Sequence, residues 1–328
     1  MLLGVLVSML SLAGLARAQD AEPLPSWNDG PARRGIVEFV RAATDKTGPH
    51  FVPPTDRFAA FDNDGTLWVE QPLYTQVVFA SDRVRELAPK HPEWKSKEPF
   101  KAILNGDDGT LAQFSIQDFA KVVVETHSGI TVDEFEKIVR RWLATARHPR
   151  FKRPYTQLAY QPMLEVLHYL RANGFKTYIV TGGGQDFVRV FSERLYGVPL
   201  EQVIGSAGKT KYEYASDGWP ALLKLPEVLL VDDRQGKPEG IHFMIGRKPH
   251  AAFGNSTGDR QMLEWTQSGA QPRLMMLVHH DDAVREYAYG ANSKVGTFSD
   301  ALMSEATKRG WLVISMKNDW KRIFAFEK

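Results

Sequence analysis

Residues 57–66 read Arg-Phe-Ala-Ala-Phe-Asp-Asn-Asp-Gly-Thr, a short apolar run that ends in an acidic turn. The apolar run is typical of a buried strand, and Asn63-Asp64-Gly65 is typical of the turn that follows one. Asp62 and Asp64 are two positions apart, so an extended segment directs both carboxylates to the same side. Such a turn can bring two acids to one cavity. An acidic turn of this kind also commonly ends a strand without any catalytic function.

Three more strand-like runs end in polar clusters, and helical patterns separate them. The pairs of run and cluster are Lys176–Val180 with 181–184, His250–Phe253 with 254–259, and Leu274–Val278 with 279–282. Strands that alternate with helices indicate an α/β fold, a Rossmann-like parallel sheet with helices on both faces. Ligands of such sheets bind beyond the carboxyl ends of the strands. We therefore expect the four polar clusters to converge on one site. The remaining predicted elements are a strand at Gln202–Gly205, a hairpin at 209–233 and a last strand at Trp311–Ser315.

Residues 68–158 follow a different pattern from the rest of the chain. Helical spacing is clear at 132–143, and Thr131 followed by Glu134 forms a capping-box pattern at the start of that helix. Pro72–Leu87 and Gln117–Thr126 are further helix candidates, and no run in the block predicts a strand. The sequence thus predicts a core at 19–67 and 159–328, interrupted by a helical block.

The first residues have the pattern of a secretory signal. Met1–Ala16 contain no charged residue, and Ala16-Arg17-Ala18 is a small-x-small cleavage site. The apolar run is shorter than the ~20 residues of a membrane-spanning helix. We expect residues 1–18 to be a cleaved signal peptide, which implies a periplasmic or secreted protein without stable membrane insertion afterwards. A buried N-terminal helix or a retained anchor is the alternative.

Composition excludes several classes of function. The chain has 41 Lys and Arg against 39 Asp and Glu, and it has no cysteine. A net charge of +2 is too small to indicate electrostatic attraction to a nucleic-acid partner. The absence of cysteine excludes disulfide scaffolds, zinc-thiolate sites and thiol nucleophiles. Catalysis must therefore use carboxylates, His, Lys, hydroxyls or a metal held by oxygen and nitrogen.

The polar clusters supply what phosphoryl chemistry needs. Asp62 is a candidate nucleophile, and Asp64 a candidate acid and base. The glycines after Thr181 predict an anion cradle made of unhindered backbone N–H groups, and a flexible turn is the alternative interpretation. Lys237 precedes a proline at a helix start and can neutralise phosphate there, although a lone lysine is usually surface.

The cluster at 254–259 offers oxygen ligands for a metal. Asn255 and Asp259 follow a strand, and Mg²⁺ prefers octahedral oxygen with one or two carboxylates. Asp259 can bind the metal directly or hold a metal-bound water. A turn that caps the next helix is the alternative interpretation.

The set of clusters resembles the haloacid dehalogenase superfamily of phosphohydrolases, over residues 57–260. The family's four motifs match Asp62, Asp64, Gly65 and Thr66; Thr181 and Gly182; Lys237; and Gly254, Asn255 and Asp259. Lys248 competes for the third motif but lies too close to Asn255 to leave room for the intervening helix. Asn255 stands where the family has an aspartate, which keeps an oxygen ligand and loses a charge.

The resemblance implies a function and the role of each site residue. It implies a Mg²⁺-dependent phosphomonoesterase that acts on a small phosphate ester, with Asp62 as nucleophile and Asp64 as acid and base. The implied sets are Thr66, Thr181, Gly182 and Lys237 for phosphate, and Asp62, Asp64, Asn255 and Asp259 for the metal. The second acid, Asp64, argues against a dehalogenase, and the helical block stands where the family places a cap.

Two alternatives to a general phosphatase stay open. One is a phosphotransferase or a narrow enzyme such as a phosphocholine phosphatase. The other is a phosphate-ligand binding protein, to which the departure at Asn255 gives weight. His279 and His280 are further candidates at the border of the site, because His titrates near neutrality. An exposed helix cap is an equally good account of that cluster.

Overall fold

The computed structural model describes residues 23–106, 110 and 116–327. The predicted signal peptide at 1–18 lies outside these residues. One seven-stranded sheet organises the described chain, in the order β4-β3-β2-β1-β5-β6-β7. The strands are β1 (Phe58–Phe61), β2 (Lys176–Gly184), β3 (Val203–Tyr214), β4 (Pro220–Leu230), β5 (Ala251–Gly254), β6 (Leu274–His279) and β7 (Leu312–Ser315).

All neighbouring strands are parallel except β3 and β4, which are antiparallel. The prediction of a separate strand at 202–205 and a hairpin at 209–233 was wrong in one respect. β3 continues without a break, because it pairs with β2 as far as Ser206 and with β4 from Ala207 onward. The hairpin is thus the extended edge of the main sheet.

Helices cover both faces of the sheet. The α-helices are α1 (Pro31–Thr44), α2 (Thr75–Leu87), α3 (Phe100–Asn105), α4 (Ile116–His127), α5 (Val132–Thr145), α6 (Gln161–Ala172), α7 (Gln185–Tyr196), α8 (Gly236–Ile245), α9 (Arg260–Gln267), α10 (Asp300–Arg309) and α11 (Met316–Asp319). The side chains of β1 alternate between the two faces, as a strand requires. Ala59 and Phe61 pack with α1, α6 and α7, whereas Phe58 and Ala60 pack with α8, α9 and α10. The predicted α/β fold with helices on both faces is confirmed.

The segment between β1 and β2 carries α2 to α6. Its described part contains helices and short 3₁₀ turns and no strand. The predicted capping box is present at α5, where Thr131 and Glu134 exchange side-chain to backbone hydrogen bonds. A small apolar cluster around Trp94 and Phe100 packs α2 against α3 and α4. The helical insertion is thus observed, and its limits at 68 and 158 stay a prediction.

The two ends of the described chain meet on one side of the sheet. Trp27 and Trp320 are both buried, with ring centroids 5.9 Å apart in an edge-to-face contact. Ser26 donates to Glu165 on α6 and accepts from Arg322 near the C-terminus. In the part of the chain that the structure describes, no helix is long and apolar enough to cross a membrane.

Candidate active site

A buried ion-pair cluster lies at the carboxyl ends of β1, β2 and β5. Lys237 Nζ donates to Asp62 Oδ1 and Asp259 Oδ1, each at 2.6 Å, and to the Val180 carbonyl at 2.8 Å. An ammonium group has three donors, so these partners use all of them. The predicted clusters after β1 and β5 therefore converge beside the end of β2, and the sheet topology explains why.

Lys237 reaches this position from the first turn of α8. Its side chain is 2% exposed, and Gly236 before it passes so close to the Val231 carbonyl that a Cβ there would lie 1.8 Å from the oxygen. The competing Lys248 instead donates to Ser268 and lies over the Trp265 ring. The structure thus places Lys237 in the cluster and Lys248 outside it.

Attraction between Lys237 and the acids opposes the effect of burial within the cluster. Burial raises the pKa of Asp62 well above its usual range, and Asp259 raises it further, while Lys237 lowers it. Burial alone would lower the pKa of Lys237, but Asp259 and Asp62 outweigh that effect and the pKa is raised. Lys237 therefore keeps its charge, and the acids around it exceed the single cation.

Asp64 lies on the open side of the same turn. It is half-buried, and its Oδ1 accepts from the Trp68 indole Nε1 at 2.9 Å. Burial raises the pKa of Asp64, and the Trp68 hydrogen bond opposes that shift. Gly65, directly after the two acids, turns the chain at a φ of 76°, a conformation that glycine adopts at little cost. The turn thus separates a buried acid from one that faces the opening.

The glycine segment differs from the expected free anion cradle. It continues β2 with an irregular register, and Gly183 N donates to Thr181 Oγ1 at 3.0 Å. Gly184 N donates to Gln76 Oε1 at 2.6 Å. The expectation of unhindered N–H groups was wrong for these two, because a hydroxyl and the α2 carboxamide already accept from them. Gly182 is exposed, and the turn opens toward Asp64.

Asp259 organises the loop after β5. Its Oδ2 accepts from the backbone N–H groups of Asn255 and Ser256 at 3.0 Å, and from Ser256 Oγ at 3.2 Å. Because Oδ1 already binds Lys237, both oxygens are engaged within the protein. Asn255 Oδ1 instead accepts from Thr66 Oγ1 at 3.2 Å, and that hydroxyl lies 3.4 Å from Asp62 Oδ2. Thr66 thus brings the oxygens of Asn255 and Asp62 together.

The comparison with protein families identifies this arrangement. The model of the haloacid dehalogenase-like hydrolases matches residues 59–264, more than half of the chain. The chain belongs to this family. The match runs from β1 through α9 and so includes every residue of the ion-pair cluster. The predictions of a haloacid dehalogenase superfamily member and of a hydrolase are confirmed.

The similar solved structures are distant in sequence. A functionally unknown protein from Anaerococcus prevotii is 16% identical with a TM-score of 0.51, over 76% of this chain and 86% of that one. A protein of unknown function from Bordetella pertussis is 18% identical with a TM-score of 0.49, over 79% and 97%. A phosphoserine phosphohydrolase-like protein from Francisella tularensis is 16% identical at 0.39, over 77% and 98%. The first shows the shared fold alone, and no curated protein matches the chain.

Side-chain oxygen atoms of Asp62, Asn255 and Thr66 lie together on one side of the site, and they are the candidate ligands for a metal ion. Within the described ranges, no three His, Asp or Glu side chains converge as a ready metal site. The oxygens that do converge are Asp62 Oδ2 and Asn255 Oδ1, beside the Thr66 hydroxyl. Carboxylate and amide oxygens suit Mg²⁺, which keeps several waters and uses one or two carboxylates. The donor set therefore fits a weakly held magnesium ion.

The two candidate histidines have different surroundings. His280 is buried, and its Nε2 lies 2.8 Å from the Gly65 carbonyl while Nδ1 lies 3.2 Å from Glu286 Oε2. His279 is half-buried against Phe298 and lies 4.0 Å from Asp281. The structure thus brings His280 against the acidic turn from behind and leaves His279 outside the cluster.

Sequence reasoning missed three acids near the site or left them without a role. Glu70 is 2% exposed and accepts a hydrogen bond from Asn255 Nδ2. Asp232 is fully buried, and burial raises its pKa to about 8 although Lys237 opposes that shift. Burial also raises the pKa of Asp233. The sequence offered one sign of these acids, because Asp232 and Asp233 are adjacent and lie shortly before Lys237.

Proposed function

We propose that the protein is an exported, Mg²⁺-dependent phosphomonoesterase that forms an aspartyl phosphate on Asp62. The observation that carries this proposal is the unequal use of the two Asp62 oxygens. Lys237 binds Oδ1 at 2.6 Å, whereas the one donor near Oδ2 among the described residues is the Thr66 hydroxyl at 3.4 Å. Lys237 therefore orients the carboxylate and leaves Oδ2 to attack phosphorus.

The two acids divide the chemistry between them. Asp62 Oδ2 forms a bond to phosphorus as the ester oxygen leaves, and Asp64 gives that oxygen its proton. Asp64 then takes a proton from the water that breaks the aspartyl phosphate. The raised pKa of Asp64 favours the protonated acid that the first step needs. Trp68 supports the return to the carboxylate by donating to Oδ1.

The oxygens of Asp62 and Asn255 give the site its fit to a divalent cation. We propose that Asp62 and Asn255 supply side-chain ligands, with Asp64 as a further ligand. We leave Asp259 out because Lys237, two backbone N–H groups and Ser256 already use its oxygens. When bound, Mg²⁺ supplies positive charge against the phosphoryl oxygens, which is where phosphoryl transfer gains most of its stabilisation.

We further propose that the helical insertion acts as a cap over this site. Gln76 of α2 supports this role, because its carboxamide reaches Gly184 N at the end of β2. A small phosphate ester that enters the site would meet α2 directly. The insertion would then select the leaving group, and the core would supply the chemistry.

The decisive experiment measures phosphate release from p-nitrophenyl phosphate and a panel of small phosphate esters. We expect activity with Mg²⁺, loss of activity in EDTA, and loss in Asp62→Asn. Trapping with acid should leave phosphate on Asp62 in the wild type. Robust hydrolysis by purified Asp62→Asn would exclude the mechanism.

Export is supported by the pattern of Met1–Ala16 and the Ala16-Arg17-Ala18 site. Expression of the full chain in a bacterium, followed by fractionation and intact mass, tests it. We expect periplasmic protein that lacks residues 1–18. Full-length protein in the cytoplasm would contradict export and leave the catalytic proposal unaffected.

A further inference from the structure

Asn255 stands where the motif resemblance implies an aspartate, and its amide is held in one orientation. Asn255 Nδ2 donates to Glu70 Oε1 at 2.6 Å, and Oδ1 faces Thr66 Oγ1 at 3.2 Å. The side chain is 1% exposed. A carboxylate offers two equivalent oxygens, whereas an amide offers one oxygen and one N–H₂ group. An asparagine in this place therefore serves as a ligand only if its oxygen points toward Asp62.

Glu70 meets Asn255 from the far side of the acidic turn. It is 2% exposed, and its Oε1 also accepts from the Tyr289 hydroxyl at 2.6 Å. Gly296 approaches it so closely that a Cβ there would lie 1.7 Å from Oε1. Tyr289 is fixed in turn by stacking on His280, with ring centroids 4.4 Å apart. The acceptor that faces Asn255 is thus held by packing and by a second hydrogen bond.

From this geometry we infer that Glu70 is a positioning residue that turns the Asn255 amide so that Oδ1 faces the Mg²⁺ side of the site. If the amide reversed, Nδ2 would point at Asp62 and Thr66, and Oδ1 would point at the Glu70 oxygen. Two facing acceptors are unfavourable in a buried place. Glu70 thereby compensates for the family's missing aspartate. The inference rests on the proposed metal-dependent function.

The test compares Mg²⁺ affinity, measured by isothermal titration calorimetry on the purified protein without substrate, in four variants. Glu70→Leu removes the acceptor, and we expect Mg²⁺ to bind at least about tenfold more weakly, as for other partners that orient metal ligands. Glu70→Gln keeps an acceptor oxygen, and we expect affinity within about threefold of wild type. In the double variant Glu70→Leu with Asn255→Asp, either oxygen can face the metal, and we expect affinity to recover. Glu165→Leu removes a half-buried carboxylate that binds Ser26, far from the site, and serves as the control.

Circular dichroism and thermal unfolding check that each variant folds. If Glu70→Leu does not fold, the comparison of Glu70→Gln with wild type still decides. A tenfold loss in folded Glu70→Gln, or unchanged affinity in folded Glu70→Leu, overturns the inference. Failure of the double variant to bind better than Glu70→Leu overturns it too. If wild type hydrolyses esters with Mg²⁺ while these variants all bind Mg²⁺ equally well, the inference about Glu70 fails and the proposed function stands. If wild type binds no Mg²⁺, the inference and the proposed function both fail.

Discussion

Lys237 Nζ lies 2.6 Å from Asp62 Oδ1 and 2.6 Å from Asp259 Oδ1, in a place with almost no exposure to solvent. One cation thus joins the acid after β1 to the acid after β5. Removal of one partner from a buried pair leaves an uncompensated charge, which costs about 3–5 kcal/mol.

Lys237→Met should lose both stability and activity. We expect the free energy of unfolding to fall by about 3 kcal/mol and the hydrolysis rate to fall by at least about a hundredfold. Urea denaturation and initial rates measure the two effects. Lys248→Met, which changes a lysine outside the site, should alter stability by less than about 0.5 kcal/mol. Equal effects of the two substitutions would contradict the assigned role.

Asp64→Asn should show how much the reaction depends on protonation of the leaving group. We expect kcat/KM to fall by about 10²–10⁴ for an alkyl phosphate. It should fall less for p-nitrophenyl phosphate, whose leaving oxygen needs little help. Similar losses for both substrates would contradict a role as general acid.

The pH profile should report the same residue. Because burial raises the pKa of Asp64, the acid stays protonated to higher pH, and kcat/KM should decline on the alkaline side as it ionises. That decline should be absent from the residual activity of Asp64→Asn. A decline that persists unchanged in the variant would assign it to another group.

Asp232→Asn should change the pH dependence of stability. The native pKa of Asp232 is raised to about 8 by burial, so the native state binds one more proton than the unfolded state between pH 4 and 8. Stability therefore falls as pH rises through this range. Asparagine carries no charge, so the variant should gain on the order of 4 kcal/mol over wild type between pH 5 and pH 9, because wild type loses stability over roughly three pH units.

Urea denaturation at the two pH values measures the effect of Asp232→Asn. Asp217→Asn, in the exposed turn of the hairpin, provides the control. A stability difference between wild type and Asp232→Asn that does not change with pH would show that Asp232 is already ionised in the native protein.

Gln76→Glu should weaken the binding of phosphate. The Gln76 Oε1 atom already accepts from Gly184 N, and a carboxylate there would strengthen that contact and repel a second anion. We expect the inhibition constant of inorganic phosphate to rise by about tenfold, which corresponds to 1.4 kcal/mol. Gln157→Glu, next to Arg153 and outside the site, should leave it unchanged. An unchanged constant in Gln76→Glu would remove Gln76 from the phosphate site.

Much of the fold and part of the site follow from local sequence patterns. The run before Asp62 predicts β1, and polar residues after β1, β2 and β5 predict a shared edge. The clustering of Asp62, Lys237 and Asp259 follows from the geometry of parallel sheets. These predictions succeed because the residues that form a strand end and the turn after it are adjacent in the sequence.

Other contacts carry no local signal. The pairing of Glu70 with Asn255 joins residues far apart in the chain, and only the packed structure shows it. The same holds for Gln76, whose Oε1 accepts from Gly184 N. The glycine pattern predicts that this N–H group is free. Burial of Asp232 depends on how α8 and β3 pack, whereas an acidic pair in a sequence usually indicates surface.

The contact between Trp27 and Trp320 also constrains the order in which this protein matures. Trp27 cannot find its partner until Trp320 has been synthesised, so these two segments dock only after the sheet between them has been made. A chain threaded across a membrane with its N-terminus leading would make this contact only on the far side. Trimming either end for expression would expose an indole at the other.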